Sequence, residues 1–271
     1  MLVTSVRAFP ASYKAIEDSL RAELERAQSP ADSLPILGNL YDLLPRSEST
    51  RLGKLLYQTA CRAQDPVTAF DILRNQANRY MSDDSMLNVL KTRALEWPSS
   101  EDREETLTFI RMMDNMRRGK YGDSEDRSDF LASLLEEMSS DHSEDLFKRI
   151  EILHGMCMLL SKGTNSELLS VYMDSLGTLV NKLPANAYSI RNAYNVHAAS
   201  AYTGLDAEKA LAADRRLLSD VNRLRRYYQD KGRVFRSYGP TYYTIYSRML
   251  ASSSILLRMR SRIITPRPKR I

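Results

Sequence analysis

The stretch SIRNAYNVHAASAYTGLDAEKALAADRRLL, residues 189–218, decides the fold of this chain. Its first half, residues 189–202, is rich in Ala and follows a helical pattern. Gly204 interrupts that pattern, and Asp206 begins a second helix whose Ala and Leu residues recur at helical spacing. Small residues at a helix crossing let two backbones approach closely, as an antiparallel hairpin requires. The stretch therefore predicts an antiparallel helical hairpin.

The rest of the chain is typical of an all-α protein. Apolar residues make up 43% of its 271 residues, and only ten Gly and ten Pro interrupt them. Strand patterns with a period of two are absent from the sequence. No apolar run reaches the roughly 18 residues that a membrane-spanning helix needs. We therefore predict an all-α fold without a transmembrane segment.

Polar and proline-containing segments divide the helical patterns. We expect a helix over residues 11–27 that ends at Ser29-Pro30, then a short helix over 34–44 bounded by Pro35 and Pro45. The polar, Gly-containing segment GKYGDSEDRSD is the best candidate for a loop that divides the chain. The predicted segments are an N-terminal helical array (1–118), this loop (119–129), a second array with the hairpin (130–230), and a basic C-terminal helix and tail (231–271).

Two segments carry a family resemblance. YNVHAASAYTGLDAEKAL (194–211) resembles the pentatricopeptide repeat, in which Tyr-Asn opens the first helix and a Gly-Asp turn followed by Ala-Leu opens the second. LLYQTACRAQDPVTAFDILRNQA (55–77) has the same outline, and PANAYSIRN (184–192) is similar to the link between repeats. Ala69 and Ala210 are 141 residues apart, close to four such repeats. A tetratricopeptide-like helical array is the alternative.

The resemblance implies a fold and a setting. It implies antiparallel helical hairpins stacked as a short, irregular α-solenoid, and an organelle, most often the mitochondrion. Family members that read RNA use a polar side chain near the start of each repeat's first helix. Leu55 and Val196 occupy that position here, although a shifted second repeat would place Asn192 there. An apolar side chain cannot hydrogen-bond a base edge, so the resemblance favours protein contacts over sequence-specific RNA recognition.

Positive charge is concentrated at the C-terminal end. Residues 211–271 contain 15 Lys and Arg against three Asp, so their net charge is +12, while the whole chain carries +5. Cations interleaved with Tyr are typical of surfaces that bind RNA, but an acidic protein or anionic lipid headgroups would also suit them. The predicted partner-binding or phosphate-binding residues are Arg223, Arg225, Arg226, Tyr227, Tyr228, Lys231, Arg233, Arg236, Arg258, Arg260, Arg262, Arg267, Lys269 and Arg270.

The sequence offers no catalytic, cofactor or metal signature. His142, His154 and His197 are not spaced as metal ligands or as a general base with its partner. We expect His154 to be a core residue and His197 to bridge two helices. Cys61 and Cys157 lie in apolar helical contexts and are expected to be buried thiols. No Gly-rich phosphate loop or nucleophile elbow occurs, so we predict a protein that is not an enzyme.

Two smaller features complete the sequence-based expectations. The acidic cluster at 101–105 is explained by the helix macrodipole at a helix start. Residues 1–14 contain Arg7 and Lys14 but no acidic residue, which fits either a mitochondrial targeting segment or an ordered arm.

The combined expectation is a scaffold subunit of a large mitochondrial assembly that contacts other protein subunits. A peripheral subunit of a respiratory-chain or ATP synthase complex is the favoured assignment. The alternative is an RNA-binding repeat protein of organellar RNA processing or the mitochondrial ribosome.

Overall fold

A computed structural model describes residues 13–44, 46–142, 144–161, 163, 165–203, 205–230 and 242–264. These residues form twelve α-helices and one π-helical turn, and no strand occurs among them. The predicted all-α class is therefore confirmed. The stacking of the hairpins as a solenoid stays a prediction.

The described residues fall into two compact units. The first comprises the chain up to Ile72 and the end of one later helix from Arg226 onwards, and the second runs from Leu73 to Arg225 and includes the last helix. The segments predicted from the sequence have other boundaries, and that segmentation stays a prediction.

The first unit is built around its second helix. Its helices are α1 (Tyr13–Arg26), α2 (Pro30–Leu43), α3 (Arg46–Arg62) and the first part of α4 (Pro66–Arg79). The α2 helix packs against both α1 and α3 and buries Leu37, Leu40 and Tyr41. The α3–α4 turn has Gln64 at a φ of 54°, and Asp65 caps α4 by accepting a hydrogen bond from the Thr68 amide at 3.1 Å.

The start of α2 differs from the prediction. We expected Pro30 to end one helix and Pro35 to bound the next, but α2 begins at Pro30 and runs through Pro35. Ser29 caps this helix by accepting a hydrogen bond from the Asp32 amide at 3.1 Å. A proline in the first turn costs no hydrogen bond, because the amides there have no partner within the helix. Pro30 is therefore a start signal.

The second unit is centred on two helices. It comprises the rest of α4, α5 (Asp84–Leu95), α6 (Glu101–Asn115), the π-helical turn (Met116–Tyr121), α7 (Ser124–Ser139), α8 (Leu146–Leu160), α9 (Ser166–Val180), α10 (Tyr188–Tyr202), α11 (Ala207–Asp230) up to Arg225, and α12 (Tyr242–Ile264). The α6 helix packs against α5, α8 and α10, while α8 also packs against α7 and α9. Ile110 and Leu176 are fully buried in this core.

The predicted polar loop at 119–129 is largely helical. Only Gly122 and Asp123 lie outside helices, because the π-helical turn extends to Tyr121 and α7 begins at Ser124. Asp123 caps α7 by accepting hydrogen bonds from the Glu125 and Asp126 amides, each at 2.9 Å. The polar residues 123–126, which were predicted to lie in a loop, therefore form a helix start.

Gly119 explains how the π-helical turn packs on α8. A Cβ atom at this position would lie 2.8 Å from the Cβ of Met158 and 3.0 Å from the backbone nitrogen of Leu159. Backbone atoms cannot move aside as a flexible side chain can. The contact therefore requires a residue without a side chain.

Gly119→Ala is expected to lower the free energy of unfolding by about 1–3 kcal/mol, the usual cost of overpacking a core. Gly163→Ala is a matched control, because a Cβ there would meet only one atom, the Leu160 oxygen, as close as 3.4 Å. Urea unfolding of both variants measures the difference. Equal stability of the two variants would show that Gly119 is not needed for this packing.

The hairpin predicted over residues 189–218 is present as α10 and α11. Asp206 caps α11 by accepting hydrogen bonds from the Glu208 and Lys209 amides at 3.1 and 3.0 Å. The Lys209 Nζ lies 5.2 Å from the Tyr202 ring centre near the turn, and Arg216 Nε donates to Asn195 Oδ1 at 3.2 Å further along. This order of contacts identifies the two helices as antiparallel.

Candidate functional site

The predicted basic region lies at the ends of α11 and α12. Arg223, Arg225 and Arg226 are exposed in the last turns of α11. Tyr227 and Tyr228 belong to the same helix, and Arg258, Arg260 and Arg262 belong to α12. Lys231, Arg233, Arg236, Arg267, Lys269 and Arg270 lie outside the described residues. The guanidinium groups of Arg223, Arg225 and Arg226 are therefore available to an external anionic partner.

A pair of buried histidines joins α8 to α10. His154 Nε2 lies 2.8 Å from His197 Nδ1, and His197 Nε2 lies 3.0 Å from the sulfur of Met116. Burial lowers the pKa of both imidazoles, well below the usual value for His154 and to about 4 for His197. Both rings are therefore neutral at pH 7. The expectation that His197 bridges two helices agrees with this contact.

The hydrogen bonds determine the tautomer of each ring. If His154 Nε2 donates to His197 Nδ1, then His197 Nε2 carries a proton that points at the Met116 sulfur, a weak acceptor. His154 Nδ1 is then an unprotonated nitrogen, and it has no partner among the described atoms. In the opposite arrangement His197 Nδ1 would donate to His154 Nε2, and the N–H on His154 Nδ1 would be buried without a partner. The lone pair of His197 Nε2 would then face the lone pairs of the Met116 sulfur. The first arrangement is the stable one.

A buried carboxylate joins α6 to α8. Glu151 Oε1 accepts hydrogen bonds from Thr108 Oγ1 at 2.9 Å and Arg111 Nη1 at 2.7 Å. Lys148 Nζ lies 3.8 Å from the other oxygen. Desolvation raises the pKa of Glu151, although Arg111 opposes this shift. The carboxylate faces a cavity of about 250 Å³. Because Arg111 and Lys148 already balance the charge of Glu151, this cluster is best explained as an ionic contact that holds α6 against α8.

A second cavity, which we call the hairpin cavity, lies between α9, α10 and α11. It has a volume of about 220 Å³ and is lined by Asp174, Gly177, Thr178, Asn181, Tyr194, Tyr202, Lys209, Ala212 and Arg216. Asp174 accepts hydrogen bonds from Tyr202 Oη at 2.7 Å and Lys209 Nζ at 2.6 Å. Desolvation alone would raise the pKa of Asp174, but these two donors lower it. The carboxylate is therefore ionised and already paired.

Tyr194 and Gly177 form one wall of the hairpin cavity. A Cβ atom on residue 177 would lie 2.2 Å from the Tyr194 hydroxyl oxygen, so a larger residue there would displace this tyrosine from its present position. Tyr194 as a whole is 7% exposed. Burial raises the pKa of its phenol, and the nearby Arg216 opposes that shift. The hydroxyl is therefore a neutral donor at physiological pH.

One face of α12 exposes large apolar side chains. Tyr246, Leu250 and Leu257, which we call the α12 stripe, are 51%, 72% and 67% exposed. Their spacings of four and seven residues place them on one side of the helix. Ile245 and Ser252 on another side are buried, and Arg248 pairs with the buried Asp214 of α11. This helix therefore has one apolar face in the core and a second one in solvent.

Sequence reasoning missed most of these contacts. The sequence attributed the acidic cluster at 101–105 to the helix start alone. Glu105, however, is buried and accepts a hydrogen bond from the Ser189 amide at 3.3 Å. Its other carboxylate oxygen lies 3.8 Å from a terminal nitrogen of Arg74. The prediction of a buried thiol is confirmed for Cys157, and burial raises the pKa of this thiol to about 12. Cys61 is only half-buried. Only the apolar surroundings of His154 signalled its burial. No local signal linked it to His197.

No group of three or more His, Cys, Asp and Glu suited to a metal ion occurs among the described residues. In the same part of the chain, no helix is both long enough and apolar enough to cross a membrane. Comparison with protein-family models, curated proteins and solved structures finds no significant match to this chain.

Proposed function

We propose that this chain is a non-catalytic helical scaffold subunit that binds other proteins of a larger assembly. The observation that carries the proposal is the α12 stripe. Water-exposed side chains as large as Leu250 and Leu257 are ordinary when scattered, but several on one helix face mark an interaction site. A helix that is apolar on two sides gains stability when the second side is also covered.

Other exposed features support the same proposal. Leu131, Leu135 and Met138 line one side of α7 at helical spacing, and Leu168 and Val171 are exposed on α9. The arginines at the end of α11 add a charged surface that would select an acidic partner and exclude basic ones. Aromatic residues, Met and Arg are the residue types enriched in protein–protein interfaces.

The mitochondrial setting, the respiratory-chain or ATP synthase assignment and the kinship with helical repeats stay predictions from the sequence. RNA is the alternative partner of the exposed arginines. RNA could use Tyr246 of the α12 stripe for stacking, but it does not account for Leu250 and Leu257, because aliphatic side chains offer bases neither stacking surfaces nor hydrogen bonds.

Leu250→Glu is expected to detach the protein from its assembly while leaving the fold intact. The introduced carboxylate would have to be desolvated in the interface, whereas in the free chain it stays in water. Because the site is exposed, the free energy of unfolding should change by no more than about 0.5 kcal/mol. Native gel electrophoresis of cell extracts measures the assembly, and circular dichroism of the purified protein measures the fold.

Ser247→Glu is the matched control, because Ser247 is exposed on the same helix but outside the α12 stripe. We expect this variant to keep its place in the assembly. If the Leu250→Glu protein also stays in the assembly at normal stoichiometry, the α12 stripe is not the interface and the proposal loses its main support.

A further inference from the structure

One exposed cation of the hairpin cavity, Arg216, has no carboxylate partner within the cavity wall, although it interacts electrostatically with the buried Asp220 outside that wall. Asp174 is matched by Lys209 through their 2.6 Å contact. Arg216 is the other cation of the wall, and its Nε donates to Asn195. The structure gives the two terminal nitrogens of Arg216 no hydrogen-bond partner among the described residues. These nitrogens are therefore free to donate to a ligand in the cavity.

The Tyr194 hydroxyl is a second unused donor in the same cavity. The residue is more than nine-tenths buried, and its hydroxyl has no hydrogen-bond partner among the described residues. The hydroxyl belongs to a side chain that lines the hairpin cavity, where water or a ligand can hydrogen-bond it. The absence of a side chain at Gly177 is what admits the hydroxyl to this position. The helix is thus shaped to present a donor that no protein group uses.

We propose that the hairpin cavity binds a phosphate group, carried by inorganic phosphate or by a small phosphomonoester. Arg216 would donate from its terminal nitrogens, and Tyr194 from its hydroxyl. Asn181 also lines the cavity and adds a side-chain amide, whereas the Thr178 hydroxyl already donates to the Asp174 carbonyl oxygen at 3.0 Å. Several donors around one cavity suit the multiple oxygens of phosphate, and a guanidinium matches their geometry.

Size and charge restrict the ligand further. Pockets for drug-sized molecules measure about 300–1,000 Å³, so a cavity of about 220 Å³ suits a compact phosphate compound and excludes a buried nucleotide. The Asp174 carboxylate would repel an anion if it were alone, but the Lys209 ammonium neutralises it. This site is separate from the α12 stripe, so the proposal goes beyond the scaffold role.

Isothermal titration calorimetry on the full chain tests the site, with inorganic phosphate and glycerol phosphate as probes. Sulfate at equal ionic strength serves as the reference anion. We expect saturable binding of at least one phosphate compound. Tyr194→Phe keeps the ring and removes the donor, and it should weaken binding about tenfold, as the loss of one hydrogen bond to a charged group does. Arg216→Gln should weaken it about tenfold or more.

Arg215→Gln is the matched control, because Arg215 is the exposed neighbour on α11 and does not line the cavity. It should bind as the unmodified chain does. The stronger of the two phosphate probes identifies the source of the group. Absence of saturable binding of both probes would overturn the proposal. So would equal affinity in the Tyr194→Phe, Arg216→Gln and Arg215→Gln variants, which would indicate nonspecific attraction to the basic surface.

Discussion

Arg248→Ala is expected to lower the free energy of unfolding by about 3–5 kcal/mol, the usual cost of leaving a buried charge without its partner. Asp214 is 1% exposed, and Arg248 donates to it from both Nε and a terminal nitrogen, with Nε at 3.0 Å from Oδ1. Without the Arg248 guanidinium, the Asp214 carboxylate either stays charged in the core with no cation beside it, or α12 moves away so that water can reach it. Urea unfolding measures the loss.

Two further variants separate the ion pair from other causes. Arg215→Ala removes a neighbouring exposed arginine of α11 and should change stability by no more than about 0.5 kcal/mol. The double variant Asp214→Leu, Arg248→Met replaces both charges with apolar groups and should recover most of the lost stability. If the double variant is as unstable as Arg248→Ala, the loss comes from packing of the arginine stem and the ion-pair account is wrong.

The second large effect is a loss of stability in mild acid caused by the His154–His197 pair. In the unfolded chain each histidine has a pKa near 6.5, whereas in the folded chain the pKa of His197 is about 4. The unfolded state therefore binds more protons between these values, and stability falls as the pH falls. The stabilising contribution is complete above about pH 6.5. For His197 alone, the loss by pH 4 is about 3 kcal/mol, and His154 adds to it.

His197→Gln isolates this effect, because glutamine retains a side-chain N–H donor but does not titrate. The slope of unfolding free energy against pH between 4 and 6.5 should be smaller in this variant by about 1.4 kcal/mol per pH unit. Glu151, with its raised pKa, acts in the opposite direction, so the difference between variants is the meaningful quantity. An unchanged slope in His197→Gln would refute the neutral buried pair.

The sequence predicted best those helices whose start, end and spacing are set by residues next to one another in the chain. The hairpin of α10 and α11 follows from Ala-rich helical spacing on both sides of one turn, and Asp206 caps α11 as a helix-start signal should. Local signals were misread in two places. Pro30 starts α2, and the polar segment after Gly122 is the first turn of α7. In both cases the same residue types serve loops and helix starts, and only the capping geometry separates the two.

The features of the site were mostly beyond sequence reasoning. The Gly177–Tyr194 contact, the pairing of His154 with His197 and the Asp214–Arg248 ion pair join different helices. Helical periodicity assigns each residue to a face of its own helix but does not identify the residue opposite. The basic C-terminal region was found from composition, and three of its members, Arg223, Arg225 and Arg226, are exposed as a binding role requires. The α12 stripe was not predicted, because residues 231–271 were interpreted only as a basic helix and tail.

The most direct test of the scaffold account is the native size of this protein in extracts of the cells that make it, with and without nuclease. The extract would be separated on a density gradient in mild detergent, and the protein followed by mass spectrometry. The account predicts migration with a particle far larger than the 31.0 kDa chain, and this particle should survive nuclease. A particle that collapses after nuclease treatment would favour the RNA alternative. Migration near 31.0 kDa in both conditions would contradict an assembly role altogether.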